Sequence, residues 1–321
     1  MIDRNQDAIR AAGLRKSFGK QVVLDGLDLA VPAGSVYSLL GPNGAGKTTT
    51  VHILSTLISF DSGEVRVAGK DPVREPEAVR AAIGVTGQFQ AVDNFLTGEE
   101  NLRLMADLRH LPGAAGRRRV DELLAQFDLA DASRRLVMTY SGGMKRRLDL
   151  AMTLLVEPRI IFLDEPTTGL DPRSRRMMWQ IVRDLAADGV TIFLTTQYLE
   201  EADELSDRIG VLDHGRLVAE GTPAELKRLV PGGHISLRFA DPAAFDRAVR
   251  LLAPSSHDAD ALTLQVPGSG DVGSLRSLLD RLDGAAIEPE DLAVHTPDLE
   301  DVFLALTGRP EATEEKEVLA R

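Results

Sequence analysis

Short unbroken apolar runs alternate with helical periodicity along most of this chain. Val36–Leu40, Ile160–Leu163, Thr191–Thr195 and Ile209–Leu212 are brief runs bounded by polar or glycine-rich segments. Runs of that length without alternation predict strands buried on both faces of a mostly parallel sheet. Upstream, Ile9–Arg15, Val22–Val31 and Val65–Ala68 predict further strands, separated by Gly, Pro and Asp turns. A helix-compatible run, Thr48–Leu57, follows Gly46. From about Thr97 to Leu136 the pattern turns helical, with Leu102, Met105 and Leu108 at three-residue spacing, then Val120, Leu123, Leu124 and Phe127. Strands and helices alternate between Arg159 and Glu220. Thr222-Pro223-Ala224-Glu225 opens a helix with a capping-box pattern and Pro at its first position.

Pro231-Gly232-Gly233 is a strong breaker, and the expected domain boundary falls there, with a large domain over 1–230. A small α/β pattern follows, over 231–309. His234–Phe239 and Leu262–Val266 read as strands, Ala243–Leu252, Val272–Leu282 and Leu299–Leu306 as helices. Residues 310–321 are charged and read as a disordered tail.

Composition narrows the classes. The 321 residues carry 37 Lys+Arg against 49 Asp+Glu, a formal net charge of −12. That balance argues against nucleic acid as a partner, which needs a basic face, and against a polybasic membrane tether. The absence of cysteine removes disulfides, thiolate nucleophiles, Fe–S clusters and Cys-ligated zinc. No run approaches the ~20 apolar residues that cross a bilayer, and Met1–Asp7 is polar, without a signal-peptide core.

The candidate chemistry begins at Gly41-Pro42-Asn43-Gly44-Ala45-Gly46-Lys47-Thr48, followed by Thr49. It fits the G-x-x-x-x-G-K-[ST] phosphate loop, and it lies between an apolar strand and a helical run, as that loop requires. Glycines let successive backbone N–H groups point at phosphate oxygens, and the helix N-terminus adds partial positive charge. Lys47 can then reach the β- and γ-phosphates of a nucleotide, and the Thr48 hydroxyl can ligate Mg²⁺. Ile160-Ile161-Phe162-Leu163-Asp164-Glu165 supplies the partner: an apolar strand ending in two carboxylates. Asp164 can hold the metal's water shell and Glu165 can act as general base on the attacking water.

Between them stands Tyr140-Ser141-Gly142-Gly143-Met144-Lys145-Arg146-Arg147. Alone, it reads rather as a serine capping a helix that runs through Leu155. With the other two motifs, it resembles the signature loop of ATP-binding cassette (ABC) ATPases. That resemblance covers about residues 8–230. It implies a fold of class α/β: a P-loop NTPase core with an antiparallel β subdomain and a helical subdomain, plus a small C-terminal α+β domain. It implies that Gln88 senses Mg²⁺ and couples to a membrane subunit, that Asp171 in Gly169-Leu170-Asp171 contacts the opposite subunit, and that Phe18 stacks on adenine. Gln88 also reads as a surface polar residue and Phe18 as a core aromatic. The family's usual switch histidine is replaced by Gln197, which can hydrogen-bond a γ-phosphate oxygen but cannot titrate.

Thr139–Met144, Thr195–Leu199 and Leu299–Gly308 together resemble the ATPase subunit of daunorubicin-resistance-type drug exporters. The last segment also reads simply as an amphipathic helix closing a small core. The resemblance implies ATP and Mg²⁺ as cofactors, a head-to-tail homodimer or second ATPase subunit completing each site through Ser141-Gly142-Gly143, and an integral-membrane permease partner. It places the chain in the cytoplasm, peripheral on the inner face of the membrane. The alternatives are a soluble ATPase of the same superfamily acting in translation or DNA repair, and an ATPase switch whose residues 234–308 sense a ligand.

Overall fold

The computed structural model describes residues 7–87, 91–111, 113–230, 233–268, 272–295 and 297–307. The chain divides into two compact units, Met1–Pro223 and Ala224–Arg321. The first runs β1 (Asp7–Phe18), β2 (Gln21–Pro32), β3 (Val36–Leu40), α1 (Lys47–Leu54), β4 (Ser62–Val67), α2 (Pro76–Ala82), β5 (Ile83–Thr86), α3 (Gly98–Leu108), α4 (Gly113–Gln126), α5 (Gly142–Thr153), β6 (Ile160–Asp164), α6 (Pro172–Ala187), β7 (Thr191–Thr196), α7 (Leu199–Leu205), β8 (Arg208–Asp213) and β9 (Arg216–Gly221). α8 (Pro223–Lys227) stands at the division. The second runs β10 (His234–Arg238), α9 (Pro242–Leu252), β11 (Ser256–Asp258), β12 (Thr263–Pro267), α10 (Val272–Gly284), β13 (Asp291–His295) and α11 (Leu299–Thr307).

The central sheet has the order β5-β6-β7-β3-β8-β9, parallel except for β9. Every residue of β3, β6 and β7 is buried, as the unbroken apolar runs require. Alternate side chains enter two separate cores. Ile161, Leu163, Ile192 and Leu194 join the core built with α3–α6. Ile160, Phe162, Phe193, Tyr37 and Leu39 join the core shared with α1 and the antiparallel sheet β2-β1-β4. In that second core Tyr37 stacks on Phe193 at 5.6 Å and Phe162 tilts against Phe193 at 5.7 Å; such pairs add about 0.5–1.5 kcal/mol beyond burial.

The fold agrees with the α/β class, with the antiparallel sheet and a helical layer added to the parallel core. The continuous helical stretch expected over Thr97–Leu136 is instead two helices, α3 and α4, followed by isolated 3₁₀ turns at Ala130–Ala132 and Val137–Thr139. The first of these helices stops after Leu108, and His110 adopts φ +56°, which ends a right-handed helix. The Leu102/Met105/Leu108 stripe is also only partly a core face. Leu102 is fully buried, but Leu108 is 63% exposed, and Asn101 and Ala106 take the remaining buried positions. Asn101 earns its place by side-chain bonds with Asp93 N, Asp93 O and Thr97 O.

The second unit is a four-stranded antiparallel sheet of order β11-β12-β10-β13 with α9 and α10 in a β-α-β-β-α-β chain order. Ile235, Leu237, Leu264 and Val266 pack with Phe245, Ala248, Leu252, Leu278 and Leu282.

Candidate functional site

β3 ends at Leu40 and α1 begins at Lys47, so residues 41–46 form the loop between them. Two glycines there are dictated by space. A Cβ at Gly41 would lie 2.3 Å from the Leu212 carbonyl oxygen, and one at Gly46 would lie 2.7 Å from Leu24 Cδ2. Gly46 also takes φ +110° at the helix N-cap, a region that side-chain-bearing residues avoid. The loop is tied down by Gly215 N to Ala45 O at 3.0 Å and Gly41 N to Thr196 O at 3.4 Å.

Lys47 is buried, and its Nζ donates to Gly41 O at 2.8 Å and Pro42 O at 3.0 Å. An ammonium has three donors, so one N–H is left for a ligand beyond the loop. Glu165 Oε1 stands 3.8 Å from Nζ. Burial pulls the Lys47 ammonium below its usual range, opposed by the Glu165 and Asp164 carboxylates.

β6 delivers Asp164 and Glu165 at its C-terminal end, beside β7 and one strand from β3. Asp164 is buried; its Oδ1 accepts from Thr48 Oγ1 at 3.3 Å and from Thr195 Oγ1. Glu165 has φ +49°, and its backbone N–H is held by Thr195 O at 3.1 Å and Thr195 Oγ1 at 3.2 Å. Thr168 Oγ1 donates to Glu165 Oε2 at 3.3 Å. Gln197 is exposed, directly after β7. Lys47, Thr48, Asp164, Glu165 and Gln197 thus gather at the C-terminal ends of adjacent parallel strands and the loops leaving them, where open α/β sheets bind ligands.

Ser141 is the exposed N-cap of α5, its Oγ accepting from Met144 N at 3.2 Å. Gly143 is set by close approach: a Cβ there would fall 2.5 Å from Ser174 Oγ and 2.7 Å from Ser174 Cβ. Asp171 caps α6 and accepts from Ser174 N at 2.9 Å and Ser174 Oγ at 2.6 Å. The Ser174 hydroxyl bond foremost, with the Ser174 N–H bond, holds the Asp171 carboxyl below its ordinary value. Among the described residues no hydrogen bond or ion pair joins Ser141–Gly143 to 41–49. Phe18, at the end of β1, is 51% exposed with Lys16 Nζ 5.2 Å from its ring centre. Gln88 lies outside the described residues.

Several residues of this region carry no sequence signal of their own. Thr195 holds both Asp164 and Glu165. Arg146 on α5 is buried and donates to Pro166 O at 3.0 Å, Gly87 O at 2.7 Å and Asp164 O at 3.1 Å, with Asp149 at 3.4 Å. The only available hint for Arg146 was its place in the basic run after Ser141-Gly142-Gly143.

Residues 24–168 match the ABC transporter family. The chain is 50% identical over 317 residues to the daunorubicin resistance ATP-binding protein DrrA2 of Streptomyces coeruleorubidus, covering 97% of this chain and 98% of that one. It is 47% identical to the doxorubicin resistance ATP-binding protein DrrA of Mycobacterium tuberculosis, covering 96% of each. It is 34% identical to the linearmycin resistance ATP-binding protein LnrL of Bacillus subtilis, covering 94% and 98%. A solved ATP-binding subunit of an ABC transporter superposes with TM-score 0.62 at 30% identity, over 69% of this chain and 92% of that one. No helix among the described residues is long and apolar enough to cross a membrane. The phosphate loop, the strand-end acid pair and near full-length identity to ATP-binding relatives agree: the chain belongs to the ABC transporter family, among its ATP-hydrolysing subunits.

Proposed function

We propose that this ATPase powers efflux of an antibiotic or similar hydrophobic drug through a separate integral-membrane permease. It works from the cytoplasmic face as a homodimer or beside a second ATPase subunit. The relatives named for daunorubicin, doxorubicin and linearmycin resistance support the drug class. The observation that carries the site reading is the pairing of Lys47 with Glu165 and of Thr48 with Asp164, which joins the start of α1 to the end of β6.

In this reading the backbone N–H groups of residues 43–49 and the free Lys47 donor bind the phosphates, and Phe18 offers its ring to adenine. Thr48 Oγ1 and Asp164 Oδ1, 3.3 Å apart, form an all-oxygen pair that would hold a hard cation, Mg²⁺; bound there, it would supply charge neutralisation to the phosphate oxygens. Gln88 belongs to the same set by resemblance. Glu165 takes a proton from the attacking water as its oxygen bonds the γ-phosphorus and the bond to ADP breaks. Gln197 donates to a γ-phosphate oxygen. Ser141, Gly142 and Gly143 of a second subunit close the site from the other side, and Asp171 contacts that subunit. Two equivalent sites follow from a two-fold axis. ATP then favours whichever dimer state binds it more tightly, and hydrolysis removes that bias.

The test is ATP turnover by Lys47→Ala and Glu165→Gln variants, with drug resistance of cells that express the chain and its permease as a second readout. Both variants should lose turnover and resistance. Unchanged hydrolysis in both would overturn the site assignment. Turnover lost with resistance unaltered would overturn the export role alone.

A further inference from the structure

Of the two acids Glu200-Glu201 at the start of α7, Glu200 is exposed and Glu201 is fully buried. Its Oε1 accepts from Thr167 Oγ1 at 2.8 Å and from Trp179 Nε1 at 3.2 Å. Its Oε2 is buried without a hydrogen bond, and the Thr196 hydroxyl stands beside the carboxyl. Burial pushes this carboxyl above its ordinary range, and the hydrogen bonds and Arg175 only partly oppose that.

Each group around Glu201 belongs to a segment with a place in the proposed site. Thr167 is two residues after Glu165 and four before Asp171. Trp179 lies on α6, which Asp171 caps. Thr196 ends β7, next to Gln197 and bonded through its carbonyl to Gly41 N. One side chain therefore touches the segment bearing the base, the segment expected to meet the second subunit and the segment bearing the switch glutamine.

Packing alone does not account for an acid here. An apolar side chain of similar volume would fill the space without the desolvation cost of a carboxyl, but it could not accept two hydrogen bonds from different elements. We propose that Glu201 is a positioning residue for ATP hydrolysis, its buried carboxyl keying the Gln197 segment to the Glu165–Asp171 segment. This rests on the roles given above to Glu165 and Gln197. It acts through them, without itself touching nucleotide.

The predicted signature is a loss in kcat with little change in KM, because nucleotide contacts are made elsewhere. Displacing reacting groups by about 1 Å costs on the order of 10²-fold, so a loosened link should cost roughly 10- to 100-fold. The experiment is steady-state ATP hydrolysis by the full-length chain carrying Glu201→Ala, Glu201→Gln, Thr167→Val or the Glu201→Ala/Thr167→Val pair, with Lys47→Ala alongside. Glu201→Ala should lower kcat in that range with KM for ATP within about twofold. Glu201→Gln, which keeps the accepting oxygen, should restore kcat to within about threefold of wild type. Thr167→Val should lower kcat, and the double variant should fall no further than Glu201→Ala, since both cut one link. Should Glu201→Ala fail to fold, the Gln and Thr167→Val variants carry the test. The proposal is overturned by wild-type kcat in Glu201→Ala or Thr167→Val, by failure of Gln to rescue, or by equal changes in kcat and KM. Wild-type turnover in Lys47→Ala would instead sink the underlying site assignment.

Discussion

Replacing Arg146 with alanine removes a buried cation that joins α5 to the ends of β5 and β6. Its guanidinium donates to the carbonyls of Gly87, Asp164 and Pro166, and it is the ion-pair partner of Asp149. Both charges are nearly sealed from solvent, 6% and 5% exposed at the side chain. Burial pushes the Asp149 carboxyl up and the Arg146 guanidinium down, so desolvation outweighs their mutual attraction. Breaking such a pair from one side costs about 3–5 kcal/mol, chiefly because the remaining charge is stranded. Asp149 would keep only its bond from Ala91 N at 3.0 Å. For a unit of this size about 2–4 °C accompanies each kcal/mol, so the transition should fall by roughly 6–20 °C. The assay is built into the chain: the only tryptophan is Trp179, buried in the first unit, so its fluorescence during urea or thermal unfolding reports that unit alone. Arg146→Met/Asp149→Asn, which removes both charges, should recover much of the loss. A stability for Arg146→Ala within about 1 kcal/mol of wild type would refute the reasoning, as would a double variant no more stable than the single one.

Other outcomes follow from the same geometry. Gly143→Ala forces a Cβ to within 2.7 Å of Ser174 Cβ, an overpacking that costs about 1–3 kcal/mol; Gly143→Ala/Ser174→Gly should relieve it, and equal urea midpoints for the two would contradict the contact. Glu201 has a folded pKa above its ordinary value, so its contribution to stability is fully present below the unfolded pKa of about 4.3 and is lost as pH rises from there toward the folded pKa. The stability of Glu201→Gln relative to wild type should therefore grow with pH, by at most about 1.4 kcal/mol per unit. Parallel pH–stability curves would count against that burial effect. Gln197→Ala should lower kcat while leaving ATP affinity near wild type; an unaltered kcat would remove Gln197 from the switch role.

The comparison of expectation with structure turns on how far apart interacting residues lie in the chain. The G-x-x-x-x-G-K-T loop and the strand ending Asp164-Glu165 are contiguous, so their spacing alone announces them. Short strands and turns at β5, β11 and β13 were missed because a few residues carry too little periodicity to register. Leu108 shows the reverse error: its spacing is that of a core residue, but α3 turns that position outward.

Residue type and spacing within a turn or two of chain set the local elements: the buried strands, the phosphate loop between strand and helix, and the acid pair at a strand end. That β7 stands between β3 and β6 follows from the assembled sheet and from nothing local. That order lets Thr195 hold Asp164, and the packing beyond it lets Arg146 reach three carbonyls and encloses Glu201 between α6 and α7. Those bonds span 18 to 59 positions in the chain. No local pattern encodes them, because a buried polar group finds its partner only after the strand order and the packing of both sheet faces are set.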